Sequence, residues 1–263
     1  MKRILLYTTL ALSSFSFLTS CTKEIDVNFD DAPVKVVIQG KINNESSAEV
    51  YVSKTIEVDK VGNNPPVSNA IVTMSDNAGN TETLTEVSPG KYVTNSMTGV
   101  EGRTYNLTVV VDGVTYTSTS TMPTLIPVDS LSTREFDGFG GEAAKFVVVH
   151  YQDPIAVGNN YRAVLYINDT LVPDIFIEDD LYINGNTREA VLFSDEYELK
   201  KGDKIVAEIN CLDRPAFEYL VELVDVNGNS EVAAPANPTS NITGGALGYF
   251  SAQTSSIMEM TAD

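Results

Sequence analysis

Hydrophobic and polar residues alternate with a period of two along most of the chain after residue 34, which is typical of half-buried β-strands. The first such segments are "VKVVIQGKI", "AEVYVSKT", "NAIVTMSD" and "TETLTEV". In "TYNLTVVVDGVTYTSTST", Asp112 and Gly113 supply the positive-φ pair of a tight hairpin turn. "DNAGN" at 76–80 and "SPGKY" at 88–92 indicate two further turns. This spacing predicts an immunoglobulin-like or transthyretin-like β-sandwich over residues 34–123.

A second β-rich domain is expected from residue 124 to residue 263. "TMPTLIPVDS", with Pro123 and Pro127, interrupts the alternation and predicts a short stiff linker. Strand patterns resume in "KFVVVHYQD", "NYRAVLYIN", "DLYING", "EAVLFS" and "DKIVAEIN". The chain ends in "GGALGYFSAQ" and "TSSIMEMTAD", which predict a last strand with a frayed tail. The fold class is therefore all-β, with two sandwich-like domains.

One segment of the second domain, "LDRPAFEYLVELVDVNGN", has helical spacing and predicts an α-helix over about 214–227. Asp213 can cap its first turn, where Pro215 also fits, and Gly228 suits its end. The apolar residues with that spacing are Phe217, Leu220, Val221 and Val224. We expect this helix to pack on the second sheet.

The first twenty residues have the parts of a secretory signal peptide: Lys2 and Arg3, an apolar run over 4–18, and small residues before a cut. The apolar run is too short to cross a bilayer as a helix. Directly after it, "LTSC" resembles the lipobox of bacterial lipoproteins, in which the cysteine receives a diacylglyceryl group. Cys21 is thus the predicted lipid-attachment site, followed by a tether over 21–33. The alternative is an ordinary secretory signal that happens to contain a cysteine.

The predicted lipid and the net charge of the mature chain indicate a membrane as a partner and exclude nucleic acid. A lipoprotein cysteine normally carries three acyl chains, each burying methylenes worth about 0.8 kcal/mol, so the protein should stay on a membrane. Residues 1–20 hold two basic and no acidic residues, which leaves 15 Lys and Arg against 36 Asp and Glu, a net charge near −21. Such a surface repels nucleic acid and anionic head groups. The only other cysteine, Cys211, has no intrachain partner once Cys21 is acylated.

The residues offer little for catalysis or metal binding, so we expect no enzyme, no cofactor and no metal. The single histidine, His150, is either a structural strand residue or the base of a hydrolase. Glu178, Asp179 and Asp180 form either a solvated acidic turn or a calcium site. "DVNGNSE" at 225–231 is similar to an EF-hand loop, but its glycine lies at position four where six is required.

The segment "SNITGGALGYFSAQ" is the main candidate for contact with a receptor or ligand. Its glycines let a backbone approach another surface closely, and its aromatic residues offer contact area. The alternative is a final strand whose glycines clear the packed helix and whose aromatic residues fill the second core. The candidate contact residues are Asn241, Gly244, Gly245, Gly248, Tyr249 and Phe250.

The chain also has a family resemblance that rests on five segments. They are the lipobox with "CTKEIDV", "VSNAIVTMSDNAGNTETLTEVSPGKYVT", "GVEGRTYNLTVVVDGVTYTSTSTMP", "YQDP…GNNYRAVLYIN" and "NPTSNITGGALGYFSAQ". The chain resembles uncharacterised Bacteroidota outer-membrane lipoproteins, usually encoded next to a TonB-dependent receptor. The resemblance implies an anchor, a prealbumin-like sandwich and a second β-rich domain with one helix. It also implies a lipid-anchored protein on the outer membrane, facing the cell exterior, because the acidic residues after Cys21 are similar to the phylum's surface-export signal; they are Glu24, Asp26, Asp30 and Asp31.

From this resemblance we expect an accessory or binding partner of a TonB-dependent receptor in nutrient uptake, with an unknown ligand. The alternative is a structural or adhesive surface lipoprotein, which would self-associate through exposed sheet edges. "DSL" at 129–131 and "DTL" at 169–171 also resemble the phylum's O-glycosylation acceptor, either by coincidence or as sites at Ser130 and Thr170 on exposed loops.

The cysteine at position 21 gives the first testable prediction. Mass spectrometry of the N-terminal peptide of the membrane-extracted protein should find Cys21 as the first residue, carrying acyl chains. Cys21→Ser should remove both the acylation and the membrane association, because the acyl chains on Cys21 are the membrane attachment that the sequence predicts. Cys211→Ser is the matched control and should leave both unchanged. An unmodified Cys21 in the wild-type protein would contradict the prediction.

Overall fold

The computed structural model describes residues 33–56, 62–137, 143–182, 184–227 and 237–263. The predicted signal peptide, Cys21, almost all of the tether and Gly228 lie outside these residues. Strands dominate the described part of the chain, and it contains one α-helix and two short 3-10 helices, Asp180–Tyr182 and Thr243–Gly245. The all-β prediction is confirmed. No described helix has the length and apolarity needed to cross a membrane.

The first half of the chain forms strands with the expected alternation of buried and exposed side chains. They are β1 (Val36–Asn43), β2 (Ser47–Lys54), β3 (Ile71–Asp76), β4 (Thr81–Thr83), β5 (Thr85–Ser88), β6 (Lys91–Thr98), β7 (Thr104–Val111) and β8 (Val114–Thr121). The β7–β8 hairpin turns at Asp112 (φ 50°) and Gly113 (φ 81°), as predicted. "TETLTEV" is not one strand, because buried Leu84 separates β4 from β5 and the two pair in different sheets.

The second half adds eight strands and the helix. They are β9 (Val128–Asp137), β10 (Ala143–Gln152), β11 (Asn160–Ile167), β12 (Thr170–Leu171), β13 (Phe176–Asp179), β14 (Thr187–Leu192), β15 (Lys204–Leu212), α1 (Arg214–Asn227) and β16 (Leu247–Thr261). The helix has the predicted bounds, and the Asp213 side chain accepts a hydrogen bond from Ala216 N at 3.4 Å. The strand expected at "DLYING" is wrong: residues 180–182 form a 3-10 helix, and the strand lies just before it.

One nine-stranded sheet runs through both predicted domains. Its order is β12-β11-β15-β16-β1-β2-β6-β5, with β13 also paired to β11. The sheet β4-β3-β7-β8 covers one half of it and encloses the first core, which includes Ile38, Val50, Leu107 and Phe250. The sheet β14-β10-β9 covers the other half and encloses the second core, which includes Val147, Val149, Leu165 and Ile209. The division near residue 124 remains a prediction, and β16 contributes to both cores.

Strand β16 joins the two halves because its neighbours change along its length. Residues 247–253 pair with β1 in parallel, and residues 254–261 pair with β15 antiparallel. The tail is not frayed, since Ala262 is buried and its N–H donates to Asp203 O at 2.9 Å. On the side of β16 that lacks a strand, Ser120 Oγ accepts from Ala252 N at 2.8 Å, and Asn44 Oδ1 accepts from Ser255 N at 2.6 Å.

Gly248 sets the approach of β16 to β1. Its φ is 95°, and a Cβ placed there would lie 2.0 Å from Ile38 O in the neighbouring strand. No L-residue with a side chain fits this position without moving a backbone. The glycine therefore clears β1 and not the helix, which corrects the sequence-based alternative.

Gly248→Ala should destabilise the protein by more than about 4 kcal/mol or prevent folding, because β1 and β16 must separate. Gly245→Ala is the matched control: its φ of 83° is equally unusual, but no atom lies within 4 Å of its Cβ position. It should cost only about 1 to 2 kcal/mol. Urea denaturation followed by circular dichroism measures both, and equal losses would show that packing against Ile38 does not matter.

Candidate functional site

Asn241, the first of the predicted contact residues, pairs with the backbone of β16. Its Nδ2 donates to Phe250 O at 2.8 Å, and its Oδ1 accepts from Phe250 N at 2.9 Å. The amide thus provides the donor and acceptor that a neighbouring strand would provide. Ser118 Oγ donates to Asn241 O at 2.8 Å and links this arrangement to β8. The described contacts of Asn241 are therefore internal to the chain.

The other predicted contact residues also have identifiable packing roles. A Cβ at Gly244 would lie 3.0 Å from Thr115 O, so this glycine clears β8, whereas Gly245 faces open space. Phe250 is fully buried in the first core, not in the second as the alternative interpretation expected. Tyr249 stacks on Tyr219 of α1 with 4.9 Å between ring centroids. Contact of this segment with a partner remains a prediction; Gly244 and Gly245 are exposed, and Asn241 and Tyr249 are half-buried.

His150 lies on the outer face of β10, next to a serine and a carboxylate. Its Nε2 is 2.7 Å from Ser132 Oγ, and its Nδ1 is 3.9 Å from Glu189 Oε1. The other Glu189 oxygen accepts from Arg134 Nη2 at 2.5 Å, and this hydrogen bond lowers the pKa of Glu189. Strand register alone brings the three side chains together, since Glu189 pairs with His150 and Ser132 is its diagonal neighbour. A structural strand histidine accounts for this geometry.

The acidic turn does not gather its three carboxylates around one point. Glu178 binds Arg188, with Oε1 2.5 Å from Nε and Oε2 2.6 Å from Nη2. Asp179 accepts from Leu181 N, and buried Asp180 accepts from Gly158 N at 2.7 Å. Among the residues described, no group of three His, Cys, Asp or Glu side chains could hold a metal ion.

One cavity is a cleft between β13 and β14, which the residue pattern does not predict. These consecutive strands separate after their turn, since β13 joins β11 and β14 joins β10. The inner part of the cleft has a volume of about 310 Å³ and exposes part of the second core as its floor. It is lined mainly by apolar and aromatic side chains, including Tyr161, Ala163, Phe176, Leu192, Phe193 and Ile209.

Polar groups close the deep end of this cleft. The Glu178–Arg188 pair bridges the two strands near their turn, and Tyr151 OH donates to Glu178 Oε1 at 3.3 Å. Burial and the nearby Glu178 charge raise the pKa of Tyr151, while the hydrogen bonds that Arg188 donates to Glu178 raise the pKa of Arg188. Tyr161 is also buried, and its OH donates to Asp153. An apolar chamber with a few fixed polar groups is the usual form of a small-molecule site.

The possible glycosylation residues are both exposed. Thr170 begins the two-residue strand β12, directly after a turn in which Asp169 has a φ of 64°. Ser130 lies within β9 and not on a loop, which differs from the expectation. Their modification remains a prediction.

Most of the chain matches a known protein family. Residues 22–257 match the family described as a domain of unknown function (DUF4249). The chain belongs to this family. The match covers both sandwiches, the helix and most of β16, so the architecture described above is that of the family domain as it occurs here. No curated protein matches the chain.

Replacing Asn241 tests whether this DUF4249 segment is structural. Asn241→Ala should cost about 2 to 4 kcal/mol, because Phe250 N–H and C=O both lose their partner. Asn106→Ala, at an exposed position of β7, is the control and should change stability by less than about 0.5 kcal/mol. Urea denaturation measures both variants.

Asn241→Asp adds a pH readout to this test. Its carboxylate would face Phe250 O, so the folded state should favour the protonated acid and raise the pKa of this residue above the unfolded value of about 3.9. The deficit relative to the parent protein should therefore be smallest below pH 4 and grow as the pH rises through the folded pKa. A deficit that does not change with pH would contradict the assigned hydrogen bond.

Proposed function

We propose that this chain is a lipid-anchored outer-membrane lipoprotein that binds a TonB-dependent receptor as an accessory protein in nutrient uptake and has no enzymatic activity of its own. Two features support the anchor and its location: the signal segment over 1–20 that is followed by Cys21, and the resemblance given above. The family match begins at residue 22, which is consistent with a cut before Cys21. The anchor would confine the protein to the membrane plane and so raise its effective concentration near a receptor.

The observation that supports the binding role is an exposed apolar tip formed by two adjacent loops. One loop precedes β11, and the other joins β13 to β14 and contains the 3-10 helix Asp180–Tyr182. Its members are Ile155, Val157, Leu181 and Tyr182, with exposed fractions of 85%, 82%, 68% and 91%. They include the three most exposed large hydrophobic side chains of the described residues. Clustered exposed apolar residues of this size mark contact sites for other proteins.

Two buried carboxylates hold the tip in place. Asp180 accepts from Gly158 N at 2.7 Å and from Asn159 N at 3.0 Å, which ties the two loops together. Asp153 accepts from Gly185 N at 2.8 Å and from Tyr161 OH, which fixes both loops to β11. A surface held by its own hydrogen bonds loses little conformational entropy when a partner binds.

A pull-down from detergent-solubilised membranes tests this role. The tagged wild-type protein should capture a TonB-dependent receptor, identified by quantitative mass spectrometry. The double variant Ile155→Asp, Val157→Asp should capture it at least about tenfold less, because two carboxylates would have to lose water at the contact. Ile71→Asp, at an apolar position of β3 that is 60% exposed, is the matched control and should capture the receptor normally.

Two results would contradict the proposal. One is a wild-type sample that contains no receptor. The other is equal capture by the tip variant and the wild-type protein. A sample that contains only further copies of this chain would favour the structural or adhesive alternative, because that role requires self-association.

A further inference from the structure

The cleft between β13 and β14 opens into a wider, acidic mouth. This outer part has a volume of about 530 Å³ and shares Ile175, Phe176, Phe193 and Val224 with the inner part. Its polar lining includes three exposed carboxylates, Asp174, Asp195 and Glu196. The cleft is therefore apolar inside and negatively charged at its entrance.

The negative charge at the mouth is not neutralised by the neighbouring side chains. Neither part of the cleft is lined by a lysine or arginine, and none of the three carboxylates forms an ion pair with a described residue. Val224 brings the last turn of α1 to the cleft, and the C-terminal end of a helix adds further negative potential. A cation at the mouth would be stabilised by all of these groups.

The inner part of the cleft favours an apolar group of a ligand and disfavours a charged one. Phe176 begins β13 and Phe193 directly follows β14, both line the opening, and buried residues of the second core form the floor. Glu178 lines this part, and both of its carboxylate oxygens already accept hydrogen bonds from Arg188. A charged group pushed to this depth would lose water without gaining a partner.

We propose that this cleft binds a small amphipathic cation, with its apolar part between Phe176 and Phe193 and its positive group at Asp174, Asp195 and Glu196. The combined size of the two parts falls within the usual range of small-molecule sites. This inference goes beyond the proposed function, because neither the anchor nor the apolar tip requires a ligand. The ligand test and the receptor test use different variants, so each can fail without the other.

Three probes that share a phenylalkyl body and carry a positive, a neutral or a negative head group test the site: 4-phenylbutylamine, 4-phenylbutanol and 4-phenylbutyrate. Calorimetric titration of the acylated protein in phosphatidylcholine nanodiscs, with empty nanodiscs as the blank, measures their binding. The amine should bind with a dissociation constant of about 1 mM or tighter and at least about tenfold more tightly than the carboxylate. Raising NaCl from 20 mM to 500 mM should reduce this selectivity, because salt screens exposed charges.

Two variants separate the charged mouth from the apolar walls. Asp195→Asn with Glu196→Gln should weaken binding of the amine severalfold and leave the alcohol unchanged, since only the cation senses the carboxylates. Phe193→Ala should weaken all three probes, because it removes part of the wall. Glu135→Gln is the control and should leave the affinity of all three probes unchanged. Glu135 is exposed on β9, at the edge of the sheet β14-β10-β9 that lies opposite β14. Thermal denaturation confirms that each variant is folded.

Amide hydrogen exchange locates the bound amine. Slower exchange within 174–178 and 190–196 is expected, because these segments line the two parts of the cleft. Protection confined to other segments would overturn the proposal. So would equal affinity for the amine and the carboxylate, or the absence of binding by any probe at 10 mM.

Discussion

The structure depends on satisfying the backbone of β16 while its neighbours change. Each buried N–H and C=O of this strand needs a partner, yet β1 accompanies only its first half and β15 only its second. Side chains fill the open side: Asn241 pairs with Phe250, Ser120 accepts from Ala252 N, and Asn44 accepts from Ser255 N. Because Ser120 and Asn44 come from distant parts of the sequence, this side of the strand can be completed only when the first half of the chain has folded against it.

The same junction links the strand to the helix. Ser120 Oγ donates to Asp213 Oδ2 at 2.7 Å, while Asp213 also caps α1. Burial raises the pKa of Asp213, so this carboxyl loses some favourable solvation in exchange for joining β8, β16 and α1 at one point. The buried stretch of β16 also contains polar residues that hydrogen-bond to a neighbouring strand. Gln253 and Ser255 both donate to Asn210 Oδ1 at 2.6 Å. A fully apolar strand would leave Asn210 without these partners.

The sequence predicts the features that are set by nearby residues. The hairpin at Asp112 and Gly113 and the helix that follows Asp213 both have the expected positions, because turn geometry and helix capping are local. The errors concern long-range packing. Gly248 clears Ile38, which lies 210 positions earlier in the chain, and period-two alternation does not reveal which sheet a strand joins, so the separation of β13 from β14 was missed. The exposed Ile155 and Val157 also carry no local signal, since apolar residues usually predict burial.

The cleft and part of the apolar tip are built on the same supersecondary unit, the β13–turn–β14 segment. The turn carries Leu181 and Tyr182 outward, while the strands on either side diverge into different sheets and expose the second core between them. Glu178 and Arg188 hold the strands together at the turn, and Asp180 ties the turn to the loop before β11. A partner at the tip and a ligand in the cleft would therefore contact opposite ends of one braced segment. Two sets of side-chain contacts connect the two surfaces: the Glu178–Arg188 pair, and Tyr161, which lines the cleft and donates to Asp153 beneath the tip.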